Sequence, residues 1–285
     1  MMAHMRTTAL LLAAVTLAGG VAACAPTDEG TARSGGDCAK SSLKTRTAGK
    51  FTFATDEPVY QPWYVDNDPT SGKGFESAVA YAVAGRLGYT REEVTWTRVT
   101  FTAAIQPGPK AFDANLTEFS ITDERKQAVD FSTPYYDVAQ AVVALKTSPA
   151  AGAKSLADLR EVKLGAQVGT TSYTAATALD PEREVAVYNT NDDAKAALGN
   201  GQVDALVLDL PTAFYVTSAE LTDGAIVGQL PRGGGEPERF GAVLDKGSPL
   251  TACVSGAVDA LRADGTLARL EQEWLAAAGN APELK

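Results

Sequence analysis

Histidine is almost missing from this chain. His4 is the single example, and it falls in an N-terminal stretch expected to be removed. A mature chain without imidazole has no His general base and no His metal ligand, which excludes most Ser-His-Asp and Cys-His hydrolases and the zinc proteases. Cysteine is scarce as well. Cys24, Cys38 and Cys253 are too scattered for a metal-knuckle spacing, so neither a metal nor another cofactor is expected. Positive charge is short: 25 Lys and Arg stand against 35 Asp and Glu, a net charge of -10. Such a surface repels phosphate backbones, so nucleic acid is not an expected partner. Beyond the first two dozen residues no apolar run is long enough to span a bilayer. The rest is ordinary globular material, 285 residues with 45% hydrophobic and 21% charged, enough for one large or two modest domains.

Residues 1–23, MMAHMRTTALLLAAVTLAGGVAA, have the build of a signal peptide. Arg6 supplies the positive region, Ala9 to Ala18 the short apolar core, and small residues lead to Val21-Ala22-Ala23-Cys24. That ending resembles a bacterial lipobox, in which Cys24 is lipidated and becomes the first mature residue. The alternative is an ordinary secretory signal with a chance cysteine. Ala25 to Gly36 is small, polar and Gly/Ser/Thr-rich, and the segment 24–47 is read as a flexible lipid-anchored tether. Export puts Cys38 and Cys253 in an oxidising compartment. They form either one disulfide, the reading adopted, or two separately buried thiols.

From Lys50 onward, strand and helix patterns alternate. Lys50–Thr55 alternates as a strand; Phe75, Val79, Val83 and Leu87 mark a core-facing helix ending near Gly88. Val94–Val99 and Phe112–Leu116 read as further strands. The pattern then restarts: a short helix at Ser155–Leu159, a strand at Val162–Val168, a helix at Asp192–Leu198 and a strand at Val203–Leu208. Phe240–Leu244 is a returning strand, followed by helices at Pro249–Ala263 and Thr266–Ala277. This predicts an α/β protein with a mainly parallel sheet, and the echo of Phe112-Asp113-Ala114 in Val203-Asp204-Ala205 hints at two lobes of similar build.

In open α/β sheets a ligand sits beyond the carboxyl ends of the strands. There the sequence offers Asp56, Glu57 and Tyr60; Phe101; Thr117, Glu118, Ser120 and Arg125; Thr170 and Thr171; and Asp209. Arg125 follows Thr122-Asp123-Glu124 into the first turn of a helix, where a cation is misplaced unless an anion holds it. The alternative is a solvated arginine paired with Asp123 or Glu124. Taken together the set suits a zwitterion: Arg125, Ser120 and Thr170 for a carboxylate, Asp209 for an ammonium, Tyr60 and Phe101 as aromatic walls. Individually, Phe101 also reads as core, Asp209 as a turn residue before Pro211, and Thr170 as a helix cap.

The run Phe112-Asp113-Ala114-Asn115-Leu116-Thr117-Glu118-Phe119-Ser120-Ile121-Thr122-Asp123-Glu124-Arg125, with Val129-Asp130-Phe131-Ser132-Thr133-Pro134-Tyr135-Tyr136, resembles the signature of the polar amino-acid-binding proteins of bacterial ABC importers. Gly74-Phe75-Glu76, Gln167-Val168-Gly169-Thr170-Thr171 and Asp204–Asp209 extend the resemblance from about Lys50 to Leu275. It implies a two-lobed, type II periplasmic-binding-protein fold (venus flytrap). Lobe 1 would be 48–141 and 240–285, lobe 2 would be 142–239, with hinge crossings near Ala141-Val142 and Phe240-Gly241. Arg125 would grip an α-carboxylate with Ser120 and Thr170, and Asp209 would take the α-amino group with Thr117 or Ser120. Tyr60 and Phe101 would sandwich the side chain, with Thr171 and Asp56 nearby.

Glu118 stands where relatives often carry Ser, Gly or Gln. With Asp56, Glu57 and Asp209 it gives the cleft more carboxylates than cations, which favours a cationic ligand such as Lys, Arg or ornithine, and a Gln-like one second. The implied partners are a free amino acid, an ABC permease with its ATPase, and the outer face of the membrane through the lipid. The protein would be a monomer and not an enzyme. A dehydratase-like exported enzyme on the same fold, or a sensor partner, are the rival readings.

Overall fold

The computed structural model describes residues 38–231, 237–276 and 281–285. The signal peptide 1–23, the lipidation at Cys24 and the tether as far as residue 37 lie outside the described residues, as does Ala277.

In chain order the strands are β1 (Phe51–Thr55), β2 (Val94–Arg98), β3 (Ala114–Asn115), β4 (Val129–Phe131), β5 (Tyr136–Val138), β6 (Gln140–Leu145), β7 (Leu164–Gln167), β8 (Ala186–Tyr188), β9 (Ala205–Asp209), β10 (Gly224–Gln229), β11 (Glu238–Phe240) and β12 (Val243–Asp245). The helices are α1 (Phe75–Arg86), α2 (Phe101–Ile105), α3 (Arg125–Ala128), α4 (Leu156–Arg160), α5 (Thr171–Ala178), α6 (Asn191–Gly199), α7 (Leu210–Tyr215), α8 (Thr251–Ala263) and α9 (Thr266–Trp274). They build two lobes, one on a sheet ordered β2-β1-β3-β12-β4 and one on a sheet ordered β10-β6-β9-β7-β8. A two-stranded ribbon, β5 paired antiparallel with β11, joins them.

Each sheet is mixed rather than mainly parallel. β6 runs antiparallel to β10 and β9, and β12 runs antiparallel to β3 and β4. These are the two strands that arrive straight from the ribbon, without the helical crossover that a parallel pair needs. The expected single strand Phe240–Leu244 is likewise two strands, broken at Gly241-Ala242. The third strand is only two residues long because Asp113 has turned to other work: its carboxylate accepts the backbone N–H groups of Thr52 at 2.7 Å and Arg46 at 2.8 Å. Asp204 repeats this in the second lobe, accepting the N–H of Lys163 at 2.7 Å. The Phe-Asp-Ala/Val-Asp-Ala echo thus marks two aspartates that each hold the start of a neighbouring strand.

In the first lobe α1 buries Phe75, Val79 and Val83, with Leu87 just past its end, in the core shared with β1, α8 and α9. Its N-terminus turns at Gly74, with φ +97°, where any Cβ would overlap the Trp63 carbonyl. Every buried aromatic side chain among the described residues belongs to this lobe and its ribbon; the second lobe packs Val, Ala and Leu.

Three expected boundaries move. Residues 38–47 are attached rather than a free tether: Cys38 is bonded to Cys253 on α8, Lys40 pairs with Glu93 at 2.5 Å, and the Arg46 N–H is held by Asp113. Residues 281–285 do not stay with the first lobe. Leu284 is buried in the second lobe's core, its N–H donates to the Gln229 carbonyl at 2.9 Å, and the Lys285 carbonyl accepts from Leu156. β6 also begins at Gln140, two residues ahead of the expected start of lobe 2.

Candidate functional site

The parallel strands of both sheets point their carboxyl ends at one cleft. β1 delivers Asp56 and the loop to Tyr60, β2 delivers Phe101 at the start of α2, and the residues after β3 include Thr117 and Glu118. From the other side β7 leads to Thr170 and Thr171 at the start of α5, β8 to Asn191 at the start of α6, and β9 ends in Asp209. Asp56, Tyr60, Phe101, Thr117, Glu118, Thr170, Thr171 and Asp209 all line one cavity between the lobes. Pro58, Val59, Gln167 and Asn191 complete it.

Ser120 and Arg125 are not in that lining. They sit just behind it, 1% and 8% exposed. The Ser120 hydroxyl lies 3.2 Å from that of Thr171 on the other lobe. Arg125 donates to the carbonyls of Ser120 at 2.7 Å and, across the cleft, Gly169 at 2.9 Å. Its guanidinium lies 5.4 Å from the centre of the Phe101 ring, which stacks on Phe119 at 4.7 Å. A guanidinium has five N–H donors, so this arrangement leaves donors for a carboxylate. Asp123 and Glu124 do not bind Arg125; Asp123 pairs with Lys126 instead. Thr122 does cap: its hydroxyl accepts the Arg125 N–H at 3.2 Å, from three residues ahead of that first helical residue. Burial draws the Arg125 pKa down, and Glu238 and Asp209 oppose that pull.

Several side chains do two jobs. The Thr170 hydroxyl caps α5, accepting from the Tyr173 N–H at 3.1 Å and donating to the Gln167 carbonyl at 2.7 Å. Phe101 is both wall and core, only 7% exposed. Thr117 hydrogen-bonds Asn115 and Thr55. Tyr60 accepts the N–H of Asp192 at 3.3 Å and carries the Lys195 ammonium 5.2 Å above its ring, both partners belonging to the second lobe.

Acid dominates the electrostatics. Burial raises the pKa of Asp56 and lifts Glu118 and Asp209 well above their ordinary values; Asp209 raises Glu118 further, and Glu238 raises Asp209 further. Beneath them Glu76 is fully buried and pushed up to about 7 by that burial. One Glu76 oxygen accepts from the Tyr135 hydroxyl and the Glu118 N–H, while the other has no partner. Glu118 has φ +53°, a left-handed conformation that glycine adopts freely and other residues adopt at a cost of about 1–3 kcal/mol. Its carboxylate accepts from the Thr212 hydroxyl at 3.0 Å, and Thr212 accepts from the Trp63 indole at 2.7 Å, a relay that crosses between lobes.

Sequence reasoning passed over Gln140, Thr212 and Glu238. Gln140 had a readable signal: a lone amide heads the otherwise apolar run of β6, and a buried amide requires partners.

Comparison with known proteins agrees with this architecture. Residues 51–277 match the bacterial extracellular solute-binding proteins, family 3. An L-arginine-binding protein of Pseudomonas aeruginosa is 30% identical over 247 residues, covering 78% of this chain and 90% of its own. The solved structure of an ancestral arginine-binding protein bound to glutamine superposes with a TM-score of 0.67 at 30% identity, covering 80% of this chain and 98% of that one. An ancestral amino-acid-binding protein described as a precursor of cyclohexadienyl dehydratase gives 0.65 at 29%, covering 80% and 95%. With most of its length matched and its two sheets converging on one cleft, the chain belongs to the bacterial extracellular solute-binding proteins, family 3.

Proposed function

We propose that this protein captures a free polar amino acid outside the cell membrane, closes its lobes on it and delivers it to an ABC permease with its ATPase. The carrying observation is the single cavity lined from both lobes, with Arg125 behind one wall and Asp209 on the other. In this reading the spare Arg125 donors take the α-carboxylate, helped by Ser120 and by the N-terminus of α5 at Thr170 and Thr171. Asp209 takes the α-ammonium, with Thr117 assisting, and Tyr60 and Phe101 flank the side chain. β5 and β11 serve as the hinge.

The side chain bound is cationic. Asp56, Glu118 and Asp209 line the cavity, and among the described residues no Lys or Arg does. Three carboxylates raised by burial are stabilised by a guanidinium or ammonium brought in by the ligand. The arginine-binding relatives support this, and the glutamine-bound ancestral structure supports a Gln-like ligand as the second choice. Family membership places the protein on the extracytoplasmic side; attachment through a lipid on Cys24 is part of the proposal, and incorporation of labelled palmitate tests it.

A dehydratase-like enzyme on the same fold is the second reading, favoured by Glu118, a buried acid able to hold a proton beside the cavity, and by the precursor relationship of one neighbour. A thermal-shift screen of the common amino acids plus ornithine and citrulline, on protein starting near Gly36, tests both. A ligand that binds only the folded state raises the midpoint. Arginine, lysine or ornithine should give the largest rise and be recovered unchanged. A larger rise with glutamate, or a converted ligand, would overturn the assignment.

A further inference from the structure

A hydrogen-bonded chain outside the cavity lining joins the two groups assigned to opposite ends of the ligand. Gln140 opens β6, directly after the ribbon strand β5, and is 7% exposed. Its Nε2 donates to Asp209 Oδ1 at 2.7 Å and to Glu238 Oε2 at 3.0 Å, while its Oε1 accepts from the Ser172 hydroxyl at 2.7 Å. The amide is therefore fixed in orientation, nitrogen toward two carboxylates and oxygen toward a hydroxyl. Glu238, the first residue of β11, accepts from the Ser120 hydroxyl with its other oxygen. The path runs from Ser120 on the first lobe, through Glu238 on the return strand and Gln140 on the outgoing one, to Asp209 on the second.

We propose that Gln140 is a positioning residue: together with Glu238 it sets the orientation of the Asp209 carboxylate that receives the ligand's ammonium, and it ties that acceptor to Ser120 beside the carboxylate grip. The ammonium's place at Asp209 rests on the reading above; the orientation by Gln140 does not. One Asp209 oxygen is used by Gln140, so the other is directed to the ligand. Because Gln140 and Glu238 lie where the two ribbon strands meet the site, a change at the hinge reaches both ends of the ligand together.

The first test needs no ligand. Asp209 faces Arg125, Glu238, Glu76, Glu118 and Tyr136. Carbon-13 carboxyl NMR of the ligand-free protein would follow its titration in wild type, Glu238→Gln and Gln140→Leu, each checked for a native melt. Loss of the Glu238 charge should weaken proton binding at Asp209 by about tenfold, and loss of the Gln140 N–H should strengthen it by a similar factor. A titration that neither variant moves overturns the proposal. The second test compares L-arginine with 5-guanidinopentanoic acid, the same chain without the α-ammonium. Gln140→Leu should cut the preference for arginine by about tenfold, the loss expected for one charge-assisted hydrogen bond. Equal losses for both compounds, with the preference intact, would make Gln140 merely structural. Failure of the wild type to bind arginine would count against the ligand class, and the Asp209 titration would still decide the positioning role.

Discussion

The two lobes are alike in plan and unlike in substance. Each has a five-stranded mixed sheet, an antiparallel strand arriving from the ribbon, and an aspartate holding a strand start. Yet the first lobe with its ribbon holds all the buried aromatics among the described residues, the disulfide to α8, and three of the four acids raised around the cavity: Asp56, Glu76 and Glu118. The second contributes hydroxyls, helix starts and the lone Asp209 on an aliphatic core. The difference teaches that buried charge calls for a stiff frame. An acid out of water depends on the few donors placed around it, and Glu76 keeps its two only while Tyr135 and the Glu118 backbone stay in position.

Four experiments break or sharpen this contrast. Replacing the first lobe's cation, Arg125→Ala, should cost about 2–5 kcal/mol of ligand binding, the usual penalty for truncating one partner of a buried charge pair. Thr171→Ala, across the cleft, should cost about 1 kcal/mol. Calorimetric titrations that rank the two in reverse would erase the asymmetry. Next, Cys38→Ser with Cys253→Ser opens a link across 215 residues of sequence and should cost about 2–4 kcal/mol of stability. Amide exchange should quicken first in β1 and α1, with β7 and β9 keeping their protection longer.

Third comes pH. Asp56, Glu76, Glu118 and Asp209 all bind protons more tightly in the fold than in the unfolded chain. The native state then carries more protons, so their stabilisation is complete below the ordinary carboxyl range and is lost as pH rises. For Glu76 the window runs from 4.5 to about 7. The melting temperature of the ligand-free protein should fall across it, and Glu76→Gln should flatten the fall; an unchanged slope would show that Glu76 takes no part. Exposed acids with lowered pKa, such as Asp158, have titrated before that window opens. Smallest is Glu118→Gly, which relieves the left-handed backbone and should stabilise the ligand-free protein by about 1 kcal/mol while weakening cationic ligands. Chemical denaturation with and without arginine reads both, and a destabilised variant would mean that the Thr212 hydrogen bond outweighs the strain.

Much of this was legible in the residues. The spacing of Phe75, Val79, Val83 and Leu87 marked a helix, and all four are buried. The cavity residues could be found because they follow the ends of strands. Strand direction was not legible: it depends on which strands skip a helical crossover, and that is settled between distant segments. β3 was overread because Asp113 cuts it short through bonds to Thr52 and Arg46. Gln140 and Glu238 escaped notice because neither follows a parallel strand of the sheets; both head strands, and their importance comes from meeting each other 98 positions apart.

The placement of residues 281–285 has a practical side. Cys38 is fastened to one half of the molecule, while Leu284 is inserted in the other. Fluorophores fused near these two positions would ride on different halves. Nutrient capture by the unmodified cleft could then be followed as a change in energy transfer, without altering a single residue that meets the cargo.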